Sequence, residues 1–152
     1  MLMIAALNDL ELQAADIENA YLTAPFHEKI WTRAGPEFGM DEGKVFILVR
    51  ALYGLKISGA AFRAFLSERL DDMGFKSSIA YPDVWMIETT KSDGEEYYEY
   101  ILVYVDDLLT ISLDARSVIL EVAEKFKPKK DKIEPPEIYL GGRLAKKLLN
   151  GK

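Results

Sequence analysis

Residues 97–112 read YYEYILVYVDDLLTIS. Aromatic, β-branched and leucyl residues fill the run on both sides of Asp106-Asp107, which is the composition of two strands. The aspartates interrupt it where a tight turn belongs, so the stretch reads as a hairpin with a carboxylate pair at its tip. The first arm, YYEYILVYV, is apolar nearly throughout, as a strand buried on both faces is.

Working upstream, Ser92-Asp93-Gly94 reads as a hairpin turn that leads back to a strand over residues 83–89. From Ser58 to Met73 the pattern becomes helical, with Phe62, Phe65, Leu66, Leu70 and Met73 at three- and four-residue steps. Ser58 stands where an N-cap belongs and Gly74 where a helix stops. Residues 45–49 and 29–33 read as strands separated by the turn-rich AGPEFGMDEGK, and LQAADI (12–17) as another. The first dozen residues read as a short helix with Leu2, Ile4, Leu7 and Leu10 partly on one face. Downstream, a helix is expected over 114–126, with Val118, Ile119, Val122 and Phe126 on one face. A lysine-rich, proline-broken segment, KPKKDKIEPP, then leads to a last strand, EIYLGGRL. Strands and helices mix without strict alternation, so the expected class is α+β, an antiparallel sheet with helices packed on one face.

The 152 residues fit one ordinary domain, and 49% apolar with 29% charged residues is the balance of a globular chain. Cysteine is absent, which excludes disulfides and thiol chemistry, and the single histidine, His27, excludes multi-histidine metal sites. No apolar run approaches the roughly 20 residues of a membrane span. The N-terminus shows no secretory leader, so cytosolic synthesis is expected. A net charge of −6 opposes nucleic-acid clamping by this polypeptide alone. Lysines 125, 127, 129, 130 and 132 form the one basic cluster, read either as a solvated face or as a nucleic-acid or pyrophosphate contact.

The chemistry centres on carboxylates. Close carboxylates repel, and one takes up a proton unless a cation intervenes. Hard oxygen ligands favour Mg²⁺ or Mn²⁺. Taken alone, Asp106-Asp107 reads first as a solvated bend, and Asp16, at the end of LQAADI, first as a helix N-cap. If the strand of Asp16 lies beside the hairpin, however, three carboxylates converge from neighbouring strands, as a two-metal phosphoryl-transfer site requires.

DIENAYL, ALYGLK, YVDDLL and IYLGGRL occur in this order, and in that order and approximate spacing they resemble the copia-type LTR-retrotransposon reverse transcriptases. AGPEFG, SGAAFR, ADIENAYLTAP and DKIEPPEIYLGG look especially like copia-like elements of diatoms and other marine algae. The resemblance runs from about Ile4 to Asn150. It implies a polymerase palm that extends a DNA primer on an RNA or DNA template with deoxynucleoside triphosphates, using two Mg²⁺ or Mn²⁺ ions. By that resemblance Asp16, Asp106 and Asp107 are the catalytic aspartates, and the Ile17 carbonyl helps to hold metal. The amides of Asn19 and Ala20 touch the incoming triphosphate. Tyr21 excludes a 2′-hydroxyl, though on the residues alone it is equally a core aromatic. Lys56 contacts nucleotide, with Ser58 and Gly59 beside it. The commoner copia pattern has Gln, Arg and Trp where this chain has Ile57, Ala60 and Phe62. Tyr104 sits near the primer terminus, and Tyr139, Leu140, Gly141 and Gly142 form the hairpin that grips the primer.

The resemblance also implies that fingers and thumb lie outside a chain that opens one helix before Asp16 and ends soon after Leu144, so residues 1–152 are expected to be palm. The implied context is a Gag-Pol polyprotein in a cytoplasmic virus-like particle, or the nucleus, with no membrane partner. Two other outcomes fit the same residues: a folded remnant without activity, and a palm-fold nucleotidyl cyclase.

Overall fold

A computed structural model describes residues 1–145. In chain order the elements are α1 (Leu2–Leu7), β1 (Glu11–Asp16), α2 (Ala20–Thr23), β2 (Trp31–Arg33), a 3₁₀ turn (Pro36–Asp41), β3 (Val45–Ile47), α3 (Ser58–Asp72), β4 (Lys76–Ser77), β5 (Val84–Thr90), β6 (Glu96–Tyr104), β7 (Asp107–Ser112), α4 (Ala115–Ala123), a second 3₁₀ turn (Lys129–Asp131), β8 (Ile138–Tyr139) and β9 (Gly142–Arg143). They fall into two compact units. One joins Met1–Glu18 to the chain from Gly74 onward, and the other is Asn19–Met73.

The first unit is built on a five-stranded sheet in the order β1-β7-β6-β5-β4, antiparallel throughout. Its β5–β6 hairpin turns at Ser92-Asp93-Gly94, where Gly94 takes φ +90° and Asp93 Oδ1 accepts from the Glu95 amide at 3.0 Å. That is the turn chemistry an Asp-Gly pair supplies. The β6–β7 turn is unusual. Its two loop residues are Val105 and Asp106, and Tyr104 pairs with Asp107 to close it. Val105 has φ +55° while Asp106 does not enter the positive region. This is the pattern of a II′ rather than a I′ turn, with a β-branched residue where glycine is the easy choice.

Burial corrects one expectation. Within β6 only Ile101 is fully buried, and Tyr98 and Tyr104 are exposed. The strand buried along its length is β7, from Leu108 to Ser112. Four tyrosines and two glutamates let β6 keep a wet edge on each side chain row, whereas LLTIS has no such polar rim. The α4 helix packs against β1 and β7 and buries Val118, Ile119 and Val122, each such side chain contributing roughly 1.5–3 kcal/mol. It ends at Ala123, short of the expected Phe126, yet Phe126 is buried beyond it. At the N-terminus only Leu10 of the expected apolar face is buried: Leu2, Ile4 and Leu7 are exposed, and Leu10 joins Ala5 and Ile111 in the core. The last strand read from EIYLGGRL is instead a hairpin, as the resemblance implies for residues 139–142, because Leu140 and Gly141 both take positive φ and turn the chain between β8 and β9.

In the second unit β2 and β3 form a short hairpin, Trp31 opposite Ile47. Phe62, Leu66 and Leu70 make the buried stripe of α3 at four-residue steps. Ser58 is not its cap. Ile57 occupies that position, and the Ser58 hydroxyl donates to the Leu52 carbonyl. Gly74, with φ +91°, follows the end of α3 as expected.

Candidate active site

Asp16 is the last residue of β1 and lies directly opposite Asp107, the first residue of β7. The Ile17 amide donates to the Asp106 carbonyl at 2.8 Å. A bond from the following residue to the preceding one makes 16–107 a non-hydrogen-bonded pair, the type in which facing side chains come closest. Like charges directly opposite on a sheet destabilise it. Asp106 adds a third carboxylate at the adjoining turn, and Tyr104 is the other cross-strand neighbour of Asp107. The helix-cap alternative for Asp16 is thereby excluded: Asn19, at φ +52°, is the residue that precedes α2.

The crowding is visible in proton affinity. Burial lifts the Asp107 carboxyl above its ordinary value, the negative charges of Asp106 and Asp16 lift it further, and Lys129 opposes them. Tyr139, above the same place, is pushed up to about 12 by burial and by the charge of Asp107. It therefore stays a neutral phenol at any working pH.

Lys129 supplies the local counter-charge. Its Nζ lies 3.0 Å from Asp16 Oδ2. The segment that carries it runs beside the outer edge of β1: Glu18 N donates to Lys127 O at 2.9 Å, and Ala14 exchanges backbone bonds with Glu134. A cavity of about 910 Å³ opens here, lined among others by Asp16, Asp107, Lys129, Lys130, Lys132 and Tyr139. The sequence shows the lysine cluster but carries no signal that selects Lys129, because the choice depends on a three-residue turn placing one stem against β1.

The donor set is all carboxylate and carbonyl oxygen, which suits Mg²⁺ or Mn²⁺, and the raised proton affinity of Asp107 marks negative charge that a cation relieves. Among the described residues no three acidic or imidazole side chains are gathered into a group that would hold an ion as they stand. Asp16 is engaged with Lys129 instead.

Leu140 lines the same cavity. Leu140, Gly141 and Gly142 form the tip and return of the β8–β9 hairpin in the first unit. Asn19, Ala20, Tyr21 and Lys56 belong to the second unit. There Ala20 is fully buried and Lys56 is exposed. The Tyr21 ring packs against Tyr53, centroids 4.5 Å apart, and Phe62, 6.1 Å apart.

Comparison with known proteins places these features. The "Retrovirus-related Pol polyprotein from transposon RE1" of Arabidopsis thaliana is 29% identical over 117 residues, 75% of this chain. The "Transposon Ty1-GR3 Gag-Pol polyprotein" of Saccharomyces cerevisiae is 29% identical over 76% of the chain, and the Ty1-NL2 Gag-Pol polyprotein of the same yeast is 36% identical over 46%. The chain spans between 4% and 8% of the length of these relatives. The family described as "Reverse transcriptase (RNA-dependent DNA polymerase)" matches residues 1–147. That match takes in both strands that oppose Asp16 to Asp107 and the hairpin bearing Asp106, and with the transposon relatives it bears out the copia-type resemblance: the chain belongs to the reverse transcriptase family.

Proposed function

We propose that this chain is the palm of a copia-type RNA-directed DNA polymerase, adding deoxynucleotides to a primer paired with an RNA or DNA template. The observation that carries the reading is the Asp16–Asp107 pair, two carboxylates opposed at the closest spacing a sheet offers with Asp106 beside them. Such an arrangement costs stability, and a site for hard cations gives it a use.

In this reading Asp16 and Asp106 hold the cations with the Ile17 carbonyl, and Asp107 supports them. When bound, two Mg²⁺ or Mn²⁺ ions supply the positive charge that favours attack of the primer 3′-hydroxyl on the α-phosphate and departure of pyrophosphate. The protein's own part is to orient. The Asn19 and Ala20 amides and Lys56 bind the triphosphate. Tyr21, wedged between Tyr53 and Phe62, is a stiff ring suited to rejecting ribose. Tyr104 meets the primer end and Tyr139 to Gly142 grip its backbone. The partners are the template–primer duplex and the rest of a Gag-Pol polyprotein, in the element's cytoplasmic particle.

The test is primer extension on an oligo(dT)-primed poly(rA) template with dTTP and Mg²⁺. Asp16→Asn and Asp106→Asn are each expected to lower the rate at least about a hundredfold. In thermal melts, Mg²⁺ with dTTP should stabilise the parent and not Asp106→Asn. Equal stabilisation of both would overturn the metal assignment.

A further inference from the structure

Two backbone contacts pin residues 127–134 along the outer edge of β1. Pro128 bridges Ile17, and Glu134 bridges Ala14. Between them, residues 129–133 of this strap face only residues 15 and 16 of β1, so the strap bulges. The bulge is the 3₁₀ turn Lys129–Asp131, in which Lys130 (φ +56°) and Asp131 (φ +53°) both take the left-handed conformation. Two successive non-glycine residues there are held at some cost in strain. The result is a lysine stem presented at the one β1 side chain that matters. Lys127 meets Glu18 at 3.6 Å and Lys132 meets Glu134, so the neighbouring lysines engage acids outside the aspartate cluster, and Lys129 alone of the three engages Asp16.

We propose that Lys129 is a tethered counter-ion which occupies the carboxylate of Asp16 and is exchanged for a divalent cation when the site loads. The inference rests on the metal-site reading above. The physical conflict is direct. An ammonium hydrogen-bonded at 3.0 Å and a Mg²⁺ ion at 2.0–2.1 Å claim the same oxygen face, and their charges repel. The Lys129 side chain is about half exposed and borders the 910 Å³ cavity, so its four-carbon stem has space to swing out. The effect of the exchange is to lower the apparent cation affinity to its intrinsic value multiplied by the fraction of chains in which Asp16 is disengaged. An exposed ion pair adds little to stability, so this lysine affects ion binding far more than folding.

The test measures Mn²⁺ binding to the intact chain by the loss of the free-ion electron paramagnetic resonance signal, at constant ionic strength, after chelator treatment. Lys129→Ala and Lys129→Gln are expected to bind Mn²⁺ about three- to fivefold more tightly than the parent, with melting temperatures within about 2 °C of it. Lys129→Arg should match the parent, and Lys127→Ala should change affinity less than twofold, which separates exchange at Asp16 from a general change in charge. Equal or weaker binding by both neutral variants, with Mn²⁺ still bound and lost in Asp106→Asn, would overturn the counter-ion role and leave the metal site standing. Absence of any Mn²⁺ binding sensitive to Asp106→Asn would overturn the metal site itself, and this inference with it.

Discussion

Asp107 faces Asp16 across the strand boundary and meets Asp106 one residue back along the turn, and its proton affinity is raised by burial first and by those two charges next. The sign of its effect on folding follows. The native chain holds the Asp107 proton more tightly than the unfolded chain does, so stability falls as pH rises from the ordinary carboxylate value, near 3.9, through the raised native one. Above that window the charged form is a standing cost. Asp107→Asn removes it and keeps the backbone pairing. The variant should match the parent in melting temperature near pH 3 and exceed it by about 1–2 °C at pH 7 in chelator. Thermal melts at several pH values measure this, and a variant less stable than the parent at pH 7 would show that the carboxylate is already compensated without a cation. Val105 adds a second local cost at the same turn, a β-branched residue at φ +55°. Strain and charge thus sit on adjacent residues of one hairpin tip, which is where a fold tolerates cost for function.

At the level of elements, α4 shows how much one side chain fixes. Asp114 caps it: Oδ1 accepts from the Ser117 amide at 3.0 Å and Oδ2 from the Ser117 hydroxyl at 2.6 Å, and these bonds hold its carboxyl below the usual range. A depressed native value contributes stability above the unfolded value that is lost as pH falls through the native one. Asp114→Ala should lower the melting temperature by a few degrees at pH 7 and by less below pH 3. Asp114→Asn should retain most of the cap and lose the acid-side dependence. An unchanged pH profile in Asp114→Ala would show that the cap does not hold the helix. The elements also show what a sequence discloses. The sheet strands other than the two-residue β4, and α3, were legible because alternation, four-residue stripes and Asp-Gly turns are local. Which arm of the 97–112 hairpin is buried was not, because both arms are interior strands of the sheet and it is the packing of α4 against β7 and β1 that closes one of them. The Ser58 cap failed because a nearer acceptor, the Leu52 carbonyl, took the hydroxyl. The β8–β9 turn came from the resemblance and not from the residues alone, which read as a strand because leucine rarely adopts the left-handed conformation that Leu140 takes, φ +48°. For the site, the carboxylate types were legible and their opposition was not. Whether Asp16 faces Asp107 or misses it by one residue is a matter of register, and a one-residue slip would have put it on the other face.

The whole molecule carries −6, so its field repels a nucleic-acid duplex everywhere except where cations are concentrated. Among the described residues that concentration is the strap, whose Lys129, Lys130 and Lys132 all line the cavity beside the aspartates. Without a cation Asp16 holds Lys129, so phosphate contacts made by Lys130 and Lys132 release about two condensed counterions, which predicts that the logarithm of affinity for an RNA–DNA duplex falls with the logarithm of salt at a slope of about −2. Fluorescence anisotropy with a labelled duplex across a KCl series, in chelator, measures it. Lys130→Ala and Lys132→Ala should each make the slope shallower by about 1. Lys91→Ala serves as the control, because Lys91 pairs with Glu95 beside the β5–β6 turn and has no part in the cavity. If the double Lys130→Ala, Lys132→Ala variant keeps both the slope and the affinity of the parent, the duplex does not run over the cavity, and the acidic chain binds nucleic acid by a surface other than the one that borders its three aspartates.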